Sequence, residues 1–310
     1  MIMLRRIIAK GIFFLAIVGC GFFLTVAEVD DGSRPVFVVL STDSEDYFPE
    51  FSQMDRTYEG PLPWVNDKKF LAAIEKLGNP RVLAAYRATL TDPLPGEDYN
   101  IGLAARRVAG TVVLPGKVYS QNRTIGPYTK ERGYRPGPTY KGTSMITTVG
   151  GGVCKIASVT YNIATFCSFD IVQRYAHGMT VPYVPPGQDA TVYYGVKDFQ
   201  FRNNTGYPIL LWAEKVNNDL YMAAYGFAPL SKITWHHKVL KRFGFPKKYR
   251  SNPKLGPGEE KVVHKGAEGY LVKSWVIIEK EDGSVTQKNK GMSYYSPFPE
   301  IVERAPRARR

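Results

Sequence analysis

Hydrophobic spacing predicts helices in three parts of the chain. Apolar residues recur every three to four positions over 98–109, with Asp98 or Asn100 as the cap. The stretch 154–168 has no glycine or proline and predicts one helix. Segment 67–90 resembles two short helices broken by a Gly-Asn-Pro turn.

Strand-like patterns fill most of the remaining sequence. Between 171 and 227 short runs of Val, Ile, Tyr and Phe are separated by Asn-rich turns, which predicts an antiparallel sheet. The stretch 255–303 predicts further short strands with a turn at Glu281-Asp282-Gly283. The fold class is therefore α+β: the helix that carries Cys154 packs on an antiparallel sheet, and a β-rich extension follows.

The length of 310 residues allows one large or two modest domains. The predicted organisation is an N-terminal membrane segment (1–27), a linker (28–66), a short helical region (67–97), a main domain (98–230), a basic β-rich extension (231–303) and a basic tail (304–310).

The N-terminus predicts a membrane anchor. Arg5, Arg6 and Lys10 precede a 17-residue apolar run from 11 to 27, and acidic residues follow it. This charge order places the N-terminus in the cytoplasm and the body of the protein outside. Two alternatives stay open: a cleaved signal peptide, or a lipoprotein with Cys20 as the lipidated residue.

The net charge of +13 is concentrated at the two ends of the chain. Residues 1–27 contribute +3, and residues 231–310, with 18 Lys or Arg and 8 Asp or Glu, contribute +10. This distribution predicts an anionic partner. Because the body is expected outside the cell and no nucleic-acid motif is found, that partner is an anionic cell-wall polymer or a membrane surface rather than nucleic acid. No pattern indicates the oligomeric state.

The two cysteines of the predicted helix cannot form a disulfide with each other. Thirteen helical residues separate the Cα atoms of Cys154 and Cys167 by about 19 Å, whereas a disulfide needs less than about 7 Å. Cys167 lies in an apolar context and is expected to be a core residue.

Cys154 follows a run of three glycines and is a candidate nucleophile. Gly151 and Gly152 allow a substrate close to the backbone, and the positive end of the helix favours a thiolate. Lys155 adds positive charge beside it, and backbone N–H groups of the first helical turn are candidate oxyanion donors. A cysteine packed as a small hydrophobe is the alternative.

A nucleophilic cysteine needs a base and a group that orients the base. His177 and Asp189 follow on the next segments and are the candidates. A loop histidine and a strand-start cap are their structural alternatives. A zinc site formed with Cys154 is disfavoured because no metal-ligand spacing is present, so we predict no metal and no cofactor.

Several stretches together resemble the VanW family. They are NIGLAARRVAGTVVLPGKVYSQN, RTIGPYTKERGY, GGGVCKIASVTYN, IVQRYAHGMTVPYVPPGQDATV and FRNNTGYPI, within 98–227. The C-terminal segment, with Gly256, Gly258, Gly266 and Gly269, resembles a glycine-named module found beside this domain in surface proteins of Gram-positive bacteria.

The resemblance implies a cell-wall protein. Some family members are L,D-transpeptidases that use the cysteine of this motif, which implies Cys154 as the nucleophile and favours His177 as the base. The family has glutamine where this sequence has Lys155. In this interpretation Lys155 or Arg174 pairs with a substrate carboxylate, and Asn122 and Tyr161 line the site. The expected substrates are peptidoglycan stem tetrapeptides, and the alternative is a non-catalytic module that binds peptidoglycan or glycopeptide.

Overall fold

The computed structural model describes residues 14–19, 22–27, 53–91, 93–141 and 144–306. The described part of the expected anchor is not helical, because β1 (Phe14–Gly19) pairs antiparallel with β2 (Phe22–Ala27). In the described ranges no helix is both long enough and apolar enough to cross a membrane. The rest of the expected anchor, most of the linker and the end of the tail lie outside the described residues.

Four helices and fifteen further strands follow in the described part of the chain. The helices are α1 (Lys68–Lys76), α2 (Pro95–Val108), α3 (Gln121–Ile125) and α4 (Cys154–Phe166). The strands are β3 (Arg81–Thr89), β4 (Thr111–Val113), β5 (Val118–Ser120), β6 (Pro136–Lys141), β7 (Ser144–Val149), β8 (Asp170–Gln173), β9 (Gln200–Arg202), β10 (Ile209–Val216), β11 (Asp219–Gly226), β12 (Ser231–Phe243), β13 (Lys247–Ser251), β14 (Glu260–His264), β15 (Gly269–Lys280), β16 (Val285–Tyr295) and β17 (Glu300–Arg304).

The main sheet is antiparallel, in the order β3-β11-β10-β4. The prediction of two helices over 67–90 is right for α1 and wrong for β3. The Leu and Ala residues of β3 favour a helix locally, but the strand pairs with β11 from Arg81 opposite Gly226 to Thr89 opposite Asp219. Burial and pairing at the edge of the sheet override the local preference.

Helix α4 packs against this sheet and is surrounded on all sides. It contacts β3 and β11 of the sheet, α2 beside it and β12 from the C-terminal part of the chain. Its residues from Ile156 to Phe166 are all buried. Tyr161 shows the enclosure, because its ring meets Trp235 of β12 at 5.7 Å. The interior of the fold is therefore built around the helix that begins at Cys154.

The end of the expected linker is part of the core. Trp64 is 1% exposed, and its indole N–H donates to the hydroxyl of Tyr225 on β11 at 2.7 Å. Asp55 is also buried, and its backbone carbonyl accepts from the N–H of Trp235 at 2.8 Å. The assignment of 53–66 to a linker is therefore wrong, and the folded unit extends to the start of this described range.

Strands β12 to β17 form two three-stranded sheets, called here the C-terminal module. One has the antiparallel order β12-β15-β16, and the other has the order β13-β17-β14 with β13 and β17 parallel. The predicted turn at Glu281-Asp282-Gly283 is confirmed, because it joins β15 to β16 with Gly283 at φ 80°. A small apolar cluster of Val239, Val272 and Tyr295 lies in this module, with Ala176 from the preceding domain packed against it.

Candidate active site

A tight glycine turn delivers the chain to the start of α4. Gly150 and Gly152 have φ values of 82° and 101°, a region that favours glycine. A Cβ atom on Gly151 would lie 2.3 Å from the carbonyl carbon and oxygen of Gly137. The run of glycines therefore has a structural reason at each position, and its consequence is a fixed position for Cys154.

Two backbone donors are available at this turn. The N–H groups of Val153 and Lys155 donate to the carbonyls of Gly150 and Gly152, at 3.3 and 3.0 Å. Among the described residues, those of Gly152 and Cys154 have no acceptor. Of the donors expected near 154 and 155, the N–H of Cys154 is therefore available and that of Lys155 is used within the turn.

One face of α4 binds an extended segment, 188–192, along its length. Asn162 donates to the carbonyl of Gln188 at 2.9 Å, and the Ser158 hydroxyl accepts from the N–H of Ala190 at 2.9 Å. At the helix start, the Cys154 Sγ accepts from the N–H of Val192 at 3.4 Å. Four helical residues rise by about 6 Å and two extended residues by about 6.6 Å, so the two periods match.

The alternation of this segment turns Asp189 away from α4 and towards His177. The Asp189 Oδ2 accepts from the backbone N–H of His177 at 2.7 Å and lies 2.6 Å from its Nδ1. The Oδ1 accepts from Arg174 at 2.9 Å and from the hydroxyl of Tyr295 at 2.5 Å. Asp189 is fully buried, so this complete set of donors keeps its charge and fixes the imidazole.

The electrostatics of the site favour a thiolate. Burial by itself raises the pKa of Cys154, but hydrogen bonding and charge from His177, together with Thr191 and Val192, bring it down to about 7. Burial lowers the pKa of His177, but Asp189 and the thiol raise it to about 9. Between these two values the pair exists as thiolate and imidazolium.

Asp189 remains ionised throughout this range. Burial raises its pKa, but Arg174 and then His177 hold it well below the usual range of an aspartate. The second thiol behaves differently, because burial raises the pKa of Cys167 with no opposing group. Both cysteines are free, in agreement with the predicted absence of a bridge between them.

The side chain of Lys155 points towards helix α2. Its ammonium pairs with the Glu97 carboxylate of α2 and lies 4.8 Å from the centre of the Tyr183 ring. Its side chain is only 14% exposed. The groups that lower the Cys154 pKa are His177, Thr191 and Val192, so the structure gives Lys155 a role in joining α2 to α4.

Arg174 and Tyr161 lie behind the reacting groups. The Arg174 guanidinium donates to the backbone carbonyl of Asp189 at 2.8 Å and to the Ser293 hydroxyl at 2.9 Å, in addition to the Asp189 carboxylate. Its carbon lies 5.2 Å from the Tyr161 ring, which is 2% exposed. These contacts make Arg174 a partner of Asp189 and Tyr161 a core residue, in place of the substrate-binding roles expected from the sequence.

Asn122 is linked to the site through a hydrogen bond with the neighbouring Tyr128. Its side chain donates to the carbonyl of Lys197 at 2.9 Å and accepts from the hydroxyl of Tyr128 at 2.9 Å. A Cβ atom on Gly150 would lie 2.5 Å from the Cβ of Tyr128, so this residue packs against the glycine turn. Burial, and then the charge of Cys154, raise the pKa of the Tyr128 phenol. Sequence reasoning missed Tyr128, although this residue lies in the stretch RTIGPYTKERGY that carries the family resemblance.

Sequence reasoning also missed Thr191, Val192 and Tyr295. Thr191 Oγ1 lies 3.4 Å from the Cys154 Sγ and directly follows a residue buried against α4. Within the described residues, no cluster of three His, Cys, Asp or Glu side chains could hold a metal ion.

The sequence matches two known families. Residues 96–225 match the family described as VanW like protein, and residues 236–305 match the G5 domain. YoaR, an uncharacterized protein of Bacillus subtilis (strain 168), is 38% identical over 127 residues, which are 41% of this chain and 42% of that protein.

The vancomycin B-type resistance protein VanW of Enterococcus faecalis (strain ATCC 700802 / V583) is 28% identical over 120 residues, which are 37% of this chain and 43% of that protein. The chain thus spans less than half the length of either relative. A solved G5 domain of an IgA1 protease matches over 25% of this chain and 94% of its own length, at 22% identity and a TM-score of 0.17. By sequence, residues 96–225 are thus similar to the VanW-like family and residues 236–305 to the G5 domain.

Proposed function

We propose that the VanW-like domain is a cysteine-dependent acyltransferase, an L,D-transpeptidase of peptidoglycan. The proposal is carried by two observations: Cys154 lies at the start of α4, and the Nδ1 of His177, which lowers the pKa of this thiol, is held by the buried Asp189. A thiolate, an oriented imidazole and a free N–H at the helix start are the parts that acyl transfer through a thioester requires.

The proposed reaction begins on a stem tetrapeptide. The Cys154 thiolate attacks the carbonyl carbon of the peptide bond that follows the diamino acid. The tetrahedral oxyanion accepts hydrogen bonds from the N–H groups of Gly152 and Cys154. The carbon–nitrogen bond then breaks, D-Ala leaves with a proton from His177, and a thioester remains on the sulfur.

An acceptor amine completes the cycle. The amine of a second stem peptide attacks the thioester carbon and gives a proton to His177. The carbon–sulfur bond breaks, the thiolate returns and a 3-3 cross-link is formed. With water as the acceptor, the same site acts as a carboxypeptidase. No step needs a metal or a cofactor.

The two domains indicate a cell-wall-associated protein. We further infer that the G5 domain holds the enzyme on its substrate, since the segment 231–310 carries a net charge of +10 and the cell wall presents anionic polymers. Attachment to the outer face of the membrane through residues 1–27 is part of this proposal, and the apolar run with its basic flank supports it.

Mass analysis of muropeptides tests the proposal. The full chain is incubated with disaccharide tetrapeptides, and the products are compared for wild type, Cys154→Ala and the matched control Cys167→Ala. We expect D-Ala release and 3-3 dimers from wild type and Cys167→Ala, and neither from a folded Cys154→Ala. Binding of muropeptides by all three proteins, with no product and no thioester adduct from any, would instead support a non-catalytic binding module.

A further inference from the structure

The C-terminal module closes on the back of the candidate site. Strand β16 presents two buried residues on one face, Ser293 and Tyr295, while Met292 and Tyr294 on the other face are 67% and 53% exposed. This two-residue alternation is that of a strand with one face packed and one face in solvent. The packed face meets the segments that carry His177 and Asp189.

Three hydrogen bonds attach the end of β16 to these segments. Ser293 accepts from Arg174 at 2.9 Å. The Tyr295 hydroxyl donates to Asp189 Oδ1 at 2.5 Å and accepts from the N–H of Gly187 at 2.6 Å. The next residue in the chain, 296, donates its N–H to the carbonyl of residue 178, beside the histidine, at 2.8 Å.

Strand β15 packs closely against the loop that contains Gly187 and Asp189. Gly187 has φ 99°, and a Cβ atom there would lie 2.1 Å from the Ser274 Oγ of β15. The adjacent Gln188 is fully buried, and its amide contacts the imidazole of His237 on β12 at 3.0 Å. The loop that positions Asp189 is thus shaped on one side by α4 and on the other by the module.

We propose that the C-terminal module completes the catalytic site, with Tyr295 as the positioning residue for Asp189. The hydroxyl holds one carboxylate oxygen, so that the other stays on His177. It also fixes the loop through Gly187. This inference rests on the proposed cysteine-dependent activity and assigns to the second domain a role in the chemistry in addition to attachment.

Tyr295→Phe tests this role in the full chain, because it removes one hydroxyl and keeps the ring. The matched control is Tyr294→Phe, the same change on the exposed face of the same strand. Tyr295→Phe is expected to lower kcat roughly 10- to 100-fold with KM changed less than about threefold, since a hydrogen bond to a charged group is lost. The midpoint pH of Cys154 alkylation is expected to rise by roughly half a unit to one unit as the imidazole loses its fixed orientation. Tyr294→Phe is expected to match wild type in both.

A second variant, Ser293→Ala, keeps the test informative if Tyr295→Phe unfolds. It is expected to shift the alkylation midpoint in the same direction by a smaller amount, through Arg174. Equal rates and midpoints in Tyr295→Phe and Tyr294→Phe would overturn the inference and leave the transpeptidase proposal standing. A shifted midpoint with no product from wild type would support the positioning role and count against the transpeptidase.

Discussion

Replacement of His177 by glutamine is expected to remove the low pKa of Cys154. The glutamine amide can still donate to Asp189, and the backbone N–H at this position keeps its own bond to that carboxylate. The variant therefore tests the imidazole with limited damage to the loop. Without His177, burial is the largest influence on the thiol, and burial raises the pKa.

The size of the effect follows from the two protonation equilibria. With a pKa of about 7, half of Cys154 is thiolate at pH 7. A pKa at or above the ordinary 9.0 leaves about 1%, a loss of roughly 50-fold in thiolate. A more basic thiolate is intrinsically about tenfold more nucleophilic for this difference, so the rate at pH 7 falls only about fivefold. The midpoint of the pH profile, which moves by about two units, is the sharper quantity.

The assay is alkylation by iodoacetamide from about pH 5.5 to about pH 10, a range that includes the expected midpoints of both proteins. Trypsin cuts after Lys141, Lys155 and Arg174, so Cys154 and Cys167 fall in separate peptides, 142–155 and 156–174. Mass spectrometry then gives the reaction of each thiol separately. The same substitution at His264, on the outer sheet of the C-terminal module, is the control.

We expect a midpoint near 7 for wild type and His264→Gln, and near or above 9 for His177→Gln. A midpoint that stays near 7 in a folded His177→Gln would refute the pairing of thiol and imidazole. An unreactive Cys154 in the native wild type at every pH would refute the nucleophile itself.

Three further substitutions test the supports of the site. Asp189→Asn is expected to lower the free energy of unfolding by about 3–5 kcal/mol in denaturant titrations, because it leaves the facing guanidinium buried without a counter-charge. Lys155→Gln introduces the residue of the family pattern and should keep the Cys154 midpoint near 7, with a stability loss of about 1–3 kcal/mol because the largely buried Glu97 loses its counter-charge while the glutamine amide can still donate to it; a midpoint near 9 would contradict the role assigned to the lysine. Gly151→Ala places a Cβ atom 2.3 Å from backbone of β6 and should lower stability by about 3 kcal/mol, whereas the control Gly206→Ala, with no atom within 4 Å, should change it by about 0.5 kcal/mol or less.

Local patterns predicted part of the geometry of the candidate site. The glycine run before Cys154 and the uninterrupted apolar stretch after it predict a thiol at a helix start, and the helix begins at that residue. His177 and Asp189 were named from their order along the chain, and the structure brings them to 2.6 Å. These predictions depend on local backbone conformation and on residues that are close along the chain. A single sequence contains enough information for both.

Long-range contacts set the parts that the sequence did not predict. Tyr295 lies 106 positions from Asp189, and no local pattern distinguishes it from the exposed Tyr294 beside it. The sequence led to the expectation that Arg174 contacts substrate. Its actual partner Ser293 lies on a strand 119 positions away, so no local pattern indicates this contact. Strand β3 was misread for the same reason, since its partner β11 lies far along the chain.

Helix geometry explains why the departure from the family pattern is compatible with a reactive thiol. Consecutive residues of a helix point about 100° apart, so Cys154 and Lys155 face different neighbours. Cys154 faces the extended segment at Val192, whereas Lys155 reaches Glu97 near the start of α2. The second carboxylate oxygen of Glu97 accepts from the N–H of Leu94 at 3.2 Å, so one side chain both caps α2 and neutralises the lysine. The lysine therefore changes the contact between α2 and α4 and leaves the environment of the thiol intact.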